Sequence, residues 1–476
     1  MVGEGGNLGL TQRGRIEYAL AGGRVCTDFI DNSAGVDCSD HEVNIKILLG
    51  GAVADGSLTL TDRDALLAEM TDEVADLVLA DNYGQATALG NARVQAELLL
   101  PVHRRQIADL ERAGRLDRAL EALPTDEELD ARPAGLTGPE LAVLLAYTKM
   151  ALEDEIDETS LPDEEWTEPV LAAYFPGPLR ERYADRMAGH RLRRDIVSTT
   201  LVNEMVNRGG ITFAYRAAEE TGASTPDILR AYAVAREVYG LGELWDGVAA
   251  LDNRVPTEAQ TTVYLETRRL LDRAVRWLVS GRRSPLDVTA EIERLRPGVT
   301  ALLPRLEELF RGRERQTLLA HAEEVAARGL PEDLALRASR VMYGFGLLDI
   351  VETAHATGRD PVEVAGVYFA LSERFGIDDL LSKISALPRE DRWQTLARMA
   401  LRYDLYAALA GLTREVLSDT DASASGEERV TAWEASNATS ILRTRNAMGE
   451  FGDSRADLAA LSVLLRQIRT LVRTTT

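Results

Sequence analysis

The sequence of 476 residues predicts a mainly α-helical protein, in which a small α/β segment (residues 1–55) precedes a large all-helical region (residues 56–476). Three observations lead to this fold class. The first fifty residues are rich in glycine and contain one short strand-like run. From residue 57 onward, apolar residues recur at spacings of three and four, which is typical of amphipathic helices. Capping signals precede several of these segments, so the helix prediction rests on their starts as well as on their periodicity.

The N-terminal segment contains one predicted strand, and the strand that should lead into the EGGN loop at residues 4–7 is expected to lie outside this chain. After a short helix, residues 25–30 (VCTDFI) predict a strand, which is followed by a turn at residues 31–35. A second helix is expected to begin at residues 37–39, where Ser39 and Glu42 have the spacing of a capping box. A single strand is unstable without partners, so we expect the rest of its sheet to lie outside this chain.

The rest of the chain carries repeated helix-start signals. Residues 137–140 (TGPE) combine a capping box with a proline, and residues 224–227 (STPD) repeat the cap-then-proline pattern. Residues 360–362 (DPV) predict a third such start. Residues 418–427 (SDTDASASGE) are small and polar, which predicts a disordered loop, and a subdivision of the helical region is expected near residues 160–190.

Composition excludes several classes of protein. The net charge of −23 argues against a nucleic-acid partner, because proteins that bind DNA or RNA normally present a basic surface. No apolar run approaches the roughly 20 residues that span a bilayer, so no membrane partner is expected. The first residues lack the features of a secretory signal, and two cysteines, Cys26 and Cys38, cannot form a disulfide framework. The sequence therefore predicts a cytoplasmic protein.

Few residue patterns in the chain carry chemistry by themselves. There is no HExxH, paired CxxC or GxxxxGK(S/T) motif, and the five histidines form no pair with metal-ligand spacing on a helix. We therefore predict no metal site. A reaction that needs a lysine has only Lys46, Lys149 and Lys383 to draw on, because the other basic residues are all arginine.

Two loops of small residues are the candidate binding elements. The EGGN loop contains Gly5 and Gly6, which let a ligand approach the backbone, and Asn7, which offers an amide donor and acceptor. Asn32 opens a second such loop. Two asparagines at the carboxyl ends of strands would suit a carboxamide or a ribose. The alternative is that these residues only form turns, and that Ser39 only caps its helix.

The very large bacterial NAD-specific glutamate dehydrogenases resemble this chain along essentially its whole length. The similarity is most specific in residues 3–49, and it recurs in residues 138–149 (GPELAVLLAYTK) and residues 190–213 (HRLRRDIVSTTLVNEMVNRGGITF). The smaller glutamate dehydrogenases carry a Glu-Gly-Ala-Asn loop and an Asn-Ala-Gly-Gly-Val-x-x-Ser stretch. Here the corresponding residues read EGGN at 4–7 and NSAGVDCS at 32–39, so small residues are kept at each substituted position.

This resemblance implies a role for each candidate site residue. Gly5, Gly6 and Asn7 would contact the NAD cofactor, with Asn7 against its ribose. Asn32 would contact the nicotinamide carboxamide. Ser39 would bind the side-chain carboxylate of glutamate from the turn that enters its helix, since a helix N-terminus favours an anion.

The resemblance also implies what the two parts of the chain are. Residues 1–55 would be the C-terminal remnant of a Rossmann-like, NAD-binding catalytic domain, and residues 56–476 a helical C-terminal domain. The family oxidises L-glutamate to 2-oxoglutarate and ammonia with hydride transfer to NAD, and the intact enzyme is expected to be a homo-oligomer. Its catalytic lysine and dinucleotide fingerprint are expected upstream, so we predict no catalytic residue in this chain and no activity of the fragment alone. The alternative is a non-catalytic helical scaffold for interaction or oligomerisation.

Overall fold

Helices form the regular structure of this chain. A computed structural model describes residues 1–132, 134–281, 284–388, 391–452 and 457–472, and these residues contain α-helices and short 3₁₀-helices but no β-strand. The chain divides into two compact units, Met1–Tyr232 and Ala233–Thr476. The prediction of a mainly α protein is confirmed, whereas the predicted α/β character of residues 1–55 is wrong.

The helices of the first unit are α1 (Gln12–Leu20), α2 (Asp28–Asp31), α3 (Ser33–Ala54), α4 (Leu60–Glu69), α5 (Thr71–Val94), α6 (Ala96–Arg112), α7 (Asp126–Asp130), α8 (Gly138–Asp157), α9 (Glu168–Tyr174), α10 (Gly177–Arg182), α11 (Ala184–Met187), α12 (Arg193–Gly209) and α13 (Phe213–Thr221). The division between the units falls inside α14 (Thr225–Val238). The helices of the second unit are α15 (Leu241–Ala249), α16 (Thr257–Gly281), α17 (Val288–Leu302), α18 (Leu306–Leu309), α19 (Gly312–Ala327), α20 (Glu332–Tyr343), α21 (Gly346–Thr357), α22 (Pro361–Arg374), α23 (Ile377–Ala386), α24 (Arg392–Asp419), α25 (Gly426–Ser436), α26 (Ala438–Gly452) and α27 (Leu458–Arg469). The 3₁₀-helices are Leu161–Asp163, Glu165–Thr167 and Leu303–Arg305.

The VCTDFI run does not form the predicted strand. The backbone is extended at Thr27, with φ −138° and ψ 161°, but helix α2 begins at the next residue. The side chains of Asp28 and Asp31 accept hydrogen bonds from the backbone amides of Leu8 and Glu4, at 2.8 and 3.0 Å. Within the run, the amides of Ile30 and Asp31 donate to the carbonyl oxygen of Thr27, at 3.2 and 3.0 Å. These backbone groups therefore bond within a helical turn and not to a neighbouring strand.

Helix α3 begins earlier than predicted. Asn32 is its N-cap residue, whereas the sequence predicts a start at residues 37–39. Ser39 therefore lies in the second turn of the helix, and its hydroxyl donates to the carbonyl oxygen of Val36 at 2.6 Å. The capping-box spacing to Glu42 was misleading, because a serine inside a helix can bond to the preceding turn instead of capping.

Helix α8 is central to the core of the first unit. Its predicted capping box is confirmed: the Thr137 amide donates to Glu140 Oε2 at 2.7 Å, and Pro139 lies in the first turn. Leu141 and Leu144 are fully buried, and the helix packs against α1, α5 and α12. Helix α1 is thereby fixed on this core, together with the loop that precedes it.

Helix α22 has a similar position in the second unit. Its predicted start at residues 360–362 is confirmed, because the Asp360 side chain accepts from the Val362 amide at 2.8 Å. The helix packs against α21, α24 and α25. The loop predicted at residues 418–427 is shorter than expected, since α24 runs to Asp419 and α25 begins at Gly426.

The division expected at residue 55 stays a prediction, as does the subdivision near residues 160–190. Helix α3, which ends at Ala54, packs against α5 within the first unit. Among the helices of the described residues, none combines the length and the apolar composition that crossing a lipid bilayer needs.

Candidate functional site

The two candidate loops lie side by side in the first unit. The Asn32 side-chain amide donates to Asn7 Oδ1 at 2.8 Å, which joins the two asparagines that the sequence analysis singled out. Both line a groove of about 550 Å³. The other residues that line it are mostly polar: Asp28, Phe29, Ser33, Val36, Asp37, Asp40, Asp81, Gln85 and Asn203. The structure thus brings Asn7 and Asn32 together at the edge of an acidic groove.

A buried ion-pair network holds the loop that carries Asn7. Glu4 and Arg15 are each 5% exposed, and Arg15 Nε lies 2.5 Å from Glu4 Oε2. The same guanidinium lies 3.0 Å from Asp28 Oδ1, so one cation pairs with two carboxylates. Glu4 also accepts from the Leu10 amide at 3.0 Å. Because the network ties both sides of the loop to buried groups, the backbone of Asn7 is fixed although its side chain is exposed.

The other predicted site residues have different surroundings. Gly5 and Gly6 are exposed, neither has a left-handed backbone, and a Cβ added at either would meet no atom within 4 Å. The loop therefore does not need glycine for its own conformation, and both residues leave open space beside the backbone. Ser39 is exposed and lies one turn beyond Val36, which lines the groove. It is not at the helix N-terminus, because the turn that enters α3 lies at Asn32, and the binding role of Ser39 stays a prediction.

The sequence analysis missed a cluster of two carboxylates and an imidazole on the groove wall. Asp37 and His41 lie four residues apart on α3, and Asp81 approaches them from α5. His41 Nε2 lies 4.0 Å from Asp81 Oδ2, and the imidazole is stacked on Tyr174 with 4.5 Å between ring centroids. Burial, and then the charge of Asp81, raise the pKa of Asp37 to about 6. The sequence pattern that could have revealed this cluster is the i, i+4 spacing of Asp37 and His41. A search for pairs of histidines cannot find it.

Lys149 lies behind the groove. It is 7% exposed, and its Nζ atom lies 3.4 Å from Oε1 of Gln85, a residue of the groove lining. Burial lowers the pKa of Lys149 to about 8, against the opposing effect of the negative charges of Glu153 and Asp81. The sequence names Lys149 only as one of three lysines, because residues distant in sequence give no sign of this contact.

Lys149→Met is expected to raise the free energy of unfolding at pH 7 by about 2 kcal/mol, because an apolar side chain of similar length replaces a buried ammonium. The pKa of Lys149 is about 8 in the folded state and 10.5 in its unperturbed state. Between these values the unfolded state binds more protons, so the wild-type protein gains stability as the pH rises. The advantage of the variant should therefore disappear between pH 8 and pH 10.5. Urea unfolding followed by circular dichroism, repeated at each pH, measures the difference in the free energy of unfolding between the variant and wild type.

Lys46→Met is the matched control for this experiment. The Lys46 side chain is 54% exposed and pairs with Glu42 on the surface of α3. We expect the control to change the free energy of unfolding by less than about 0.5 kcal/mol across the same pH range. An advantage of Lys149→Met that stayed constant with pH would contradict the lowered pKa of Lys149.

Two family models match the chain. The model described as "Bacterial NAD-glutamate dehydrogenase, catalytic domain" matches residues 1–92, and the model described as "Glutamate dehydrogenase, C-terminal" matches residues 133–470. The first match contains Asn7, Asn32 and the other lining residues of the groove up to Gln85. Asn203, which also lines the groove, falls in the second match.

Relatives of known name match the chain over nearly its whole length. The NAD-specific glutamate dehydrogenase of Mycobacterium tuberculosis is 46% identical over 478 residues, covering 100% of this chain and 29% of the relative. Those of Pseudomonas aeruginosa and Halomonas elongata are 40% and 39% identical, covering 99% and 98% of this chain and 29% of each relative. The chain thus spans about 29% of the length of these relatives. Since the C-terminal model alone covers more than half of the chain, and the catalytic-domain model covers the groove loops, the chain belongs to the bacterial NAD-specific glutamate dehydrogenase family.

Proposed function

We propose that this chain supplies one wall of the cofactor and substrate site of an NAD-dependent glutamate dehydrogenase. The enzyme would convert L-glutamate, oxidised NAD and water into 2-oxoglutarate, ammonium, NADH and one proton. The observation that carries the proposal is the contact between Asn7 and Asn32 at the edge of the groove. Membership of the family supports the reaction, and it favours an enzyme over a non-catalytic helical scaffold.

The polar groups of the groove fit the nicotinamide end of NAD. Each asparagine amide has two donor hydrogens and an acceptor oxygen, so the Asn7–Asn32 bond leaves donors and acceptors free for a carboxamide. The carboxylates of Asp37, Asp40 and Asp81 would attract the positive ring of oxidised nicotinamide and repel a pyrophosphate. We therefore place the nicotinamide in this groove and the phosphates of NAD outside it.

The remaining candidate residues take the roles that the family implies. Gly5 and Gly6 would let the ribose approach the backbone, which the open space beside them supports. Ser39 would contact the side-chain carboxylate of glutamate, and its exposed position one turn from Val36 supports that role. The catalytic lysine and the dinucleotide fingerprint would come from the rest of the enzyme. This chain's part of the reaction is to bind and orient the nicotinamide and the substrate.

The helical region would complete the enzyme, and its contribution to the groove would be limited to the lining residues Asp81, Gln85 and Asn203. We propose that residues 56–476 form a helical domain of a homo-oligomeric enzyme, as the family resemblance suggests. We also propose that the enzyme is cytoplasmic, as the sequence predicts.

The test is NAD binding by the full-length enzyme that carries Asn7→Ala or Asn32→Ala. We expect each variant to raise the Kd for NAD, measured by calorimetry, by about tenfold, which corresponds to the loss of about one hydrogen bond. Ser39→Ala is expected to raise the KM for glutamate and to leave the Kd for NAD within about twofold. Gln467→Ala, in α27, is the control for an amide outside the groove. An unchanged Kd for NAD in both asparagine variants would overturn the proposal.

A further inference from the structure

We infer that Asp37, His41 and Asp81 form a binding site for one divalent transition-metal cation. One ligand atom from each residue lies within 4.8 Å of the other two. An imidazole with two carboxylates is a donor set that zinc and manganese both accept. The site lies on the wall of the same groove, but it does not depend on the proposed dehydrogenase function.

Unpaired buried atoms distinguish this cluster from an ordinary acidic surface. His41 is 2% exposed, and neither of its ring nitrogens has a hydrogen-bond partner among the described residues. Asp37 Oδ2 is also buried and also lacks a partner in that part of the chain. Buried polar atoms are normally paired, because an unpaired one has lost its bonds to water without replacement. A cation bonded to Asp37 and His41 would satisfy both residues at once.

The helices hold the three ligands in a geometry that a small movement would complete. Asp37 and His41 share one face of α3, and Asp81 projects from α5, which packs against it. Three atoms at most 4.8 Å apart lie within about 2.8 Å of a common centre, compared with about 2.0–2.2 Å for zinc bonded to nitrogen or oxygen. The Asp81 side chain is 50% exposed, so it is free to rotate and close this gap. The stack on Tyr174 keeps the imidazole in place.

The nearest lysine does not take the place of the cation. The positive charge of Lys149 acts on Asp81, but its ammonium group bonds to Gln85, and the described residues show no ion pair between Lys149 and Asp81. Asp40 is also engaged elsewhere, since it accepts from the Tyr174 hydroxyl at 2.7 Å. A bound cation would therefore neutralise Asp37 and Asp81 and connect α3 to α5.

The test is metal binding by the full-length protein after treatment with a chelator. Calorimetric titration with ZnCl₂ and with MnCl₂ measures affinity, and inductively coupled plasma mass spectrometry counts the bound metal. We expect Asp37→Asn and His41→Phe each to lose one equivalent per chain or to weaken its binding at least tenfold. His41→Phe keeps an aromatic ring against Tyr174, so circular dichroism can confirm that the variant is folded.

Two controls separate this site from other sources of metal binding. Asp40→Asn changes an acid of the same groove outside the cluster, and we expect it to keep the equivalent with a Kd within threefold of wild type. Cys38→Ser removes a neighbouring thiol that zinc could also bind. We expect this variant also to bind one equivalent of metal per chain. The inference is overturned if wild type binds no more metal than His41→Phe does, or if Cys38→Ser abolishes binding. Calorimetry with NAD on Asn7→Ala and Asn32→Ala, which keep all three proposed ligands, reports separately on the proposed dehydrogenase function.

Discussion

Arg15→Met is expected to lower the free energy of unfolding of the first unit by about 3–5 kcal/mol. The variant removes the guanidinium that lies 2.5 Å from Glu4 and 3.0 Å from Asp28, and it leaves two mostly buried carboxylates without that cation. The amide hydrogens of Leu8 and Leu10 should also exchange faster, because their acceptors are these same carboxylates. Urea unfolding at pH 7 measures the first effect, and hydrogen-exchange mass spectrometry measures the second.

Arg13→Met is the matched control, since Arg13 is exposed on the same helix. We expect that variant to change the free energy of unfolding by less than about 0.5 kcal/mol. Arg15→Lys should recover part of the loss, because one ammonium cannot reproduce the planar guanidinium that contacts both carboxylates. A loss below about 1 kcal/mol in Arg15→Met, with unchanged exchange at Leu8, would show that the network does not hold the loop.

Arg429→Met is expected to destabilise the second unit by about 3 kcal/mol. Arg429 is fully buried in helix α25, and its Nη2 atom lies 2.6 Å from Oε1 of Glu363. The same side chain donates to the carbonyl oxygens of Ala424, at 3.1 Å, and Ala422, at 2.5 Å. The variant therefore removes a buried cation from Glu363 and two hydrogen bonds from the loop that joins α24 to α25. Urea unfolding and proteolysis within this loop measure the loss.

Arg443→Met, an exposed arginine of the neighbouring helix α26, is the control for this prediction. It should leave the unfolding midpoint within error of wild type. Arg429→Lys should resemble Arg429→Met, because Ala424 is bonded by Nε whereas Ala422 and Glu363 are contacted by Nη2, and one ammonium nitrogen cannot occupy both positions. Unchanged stability in Arg429→Met, or an unchanged rate of cleavage in the loop, would mean that these contacts contribute little.

Helix starts were predictable where the signal is local. Thr137 and Glu140 bond to each other within one turn, and Asp360 caps the amide two residues ahead, so neither depends on the rest of the fold. The strand predicted at residues 25–30 failed for the opposite reason. The side chains of Asp28 and Asp31 bond to backbone amides 20 and 27 positions away, and no local pattern reports such contacts.

The loop residues of the candidate site were predictable from the sequence, but the residues that other helices contribute were not. The small-residue loops pointed to Asn7 and Asn32, and the structure brings these two side chains into contact. The expected helix N-terminus at Ser39 was wrong, because α3 begins one turn or more before it. Asp81 and Lys149 reach the site from α5 and α8, and only the packing of these helices brings them there.

The bond between the Asn7 and Asn32 side chains also has a consequence for discrimination between related dinucleotides. Because the two amides are paired with each other, neither depends on a ligand for its first hydrogen bond. A ligand with a neutral carboxamide can extend this pair through the amide atoms that remain. While no cation is bound in the groove, a ligand with a carboxylate at the same position would face the negative charges of Asp37, Asp40 and Asp81. Such a ligand would also gain fewer hydrogen bonds from the two amides. The groove would thus distinguish NAD from its deamidated, nicotinic acid form mainly by repulsion.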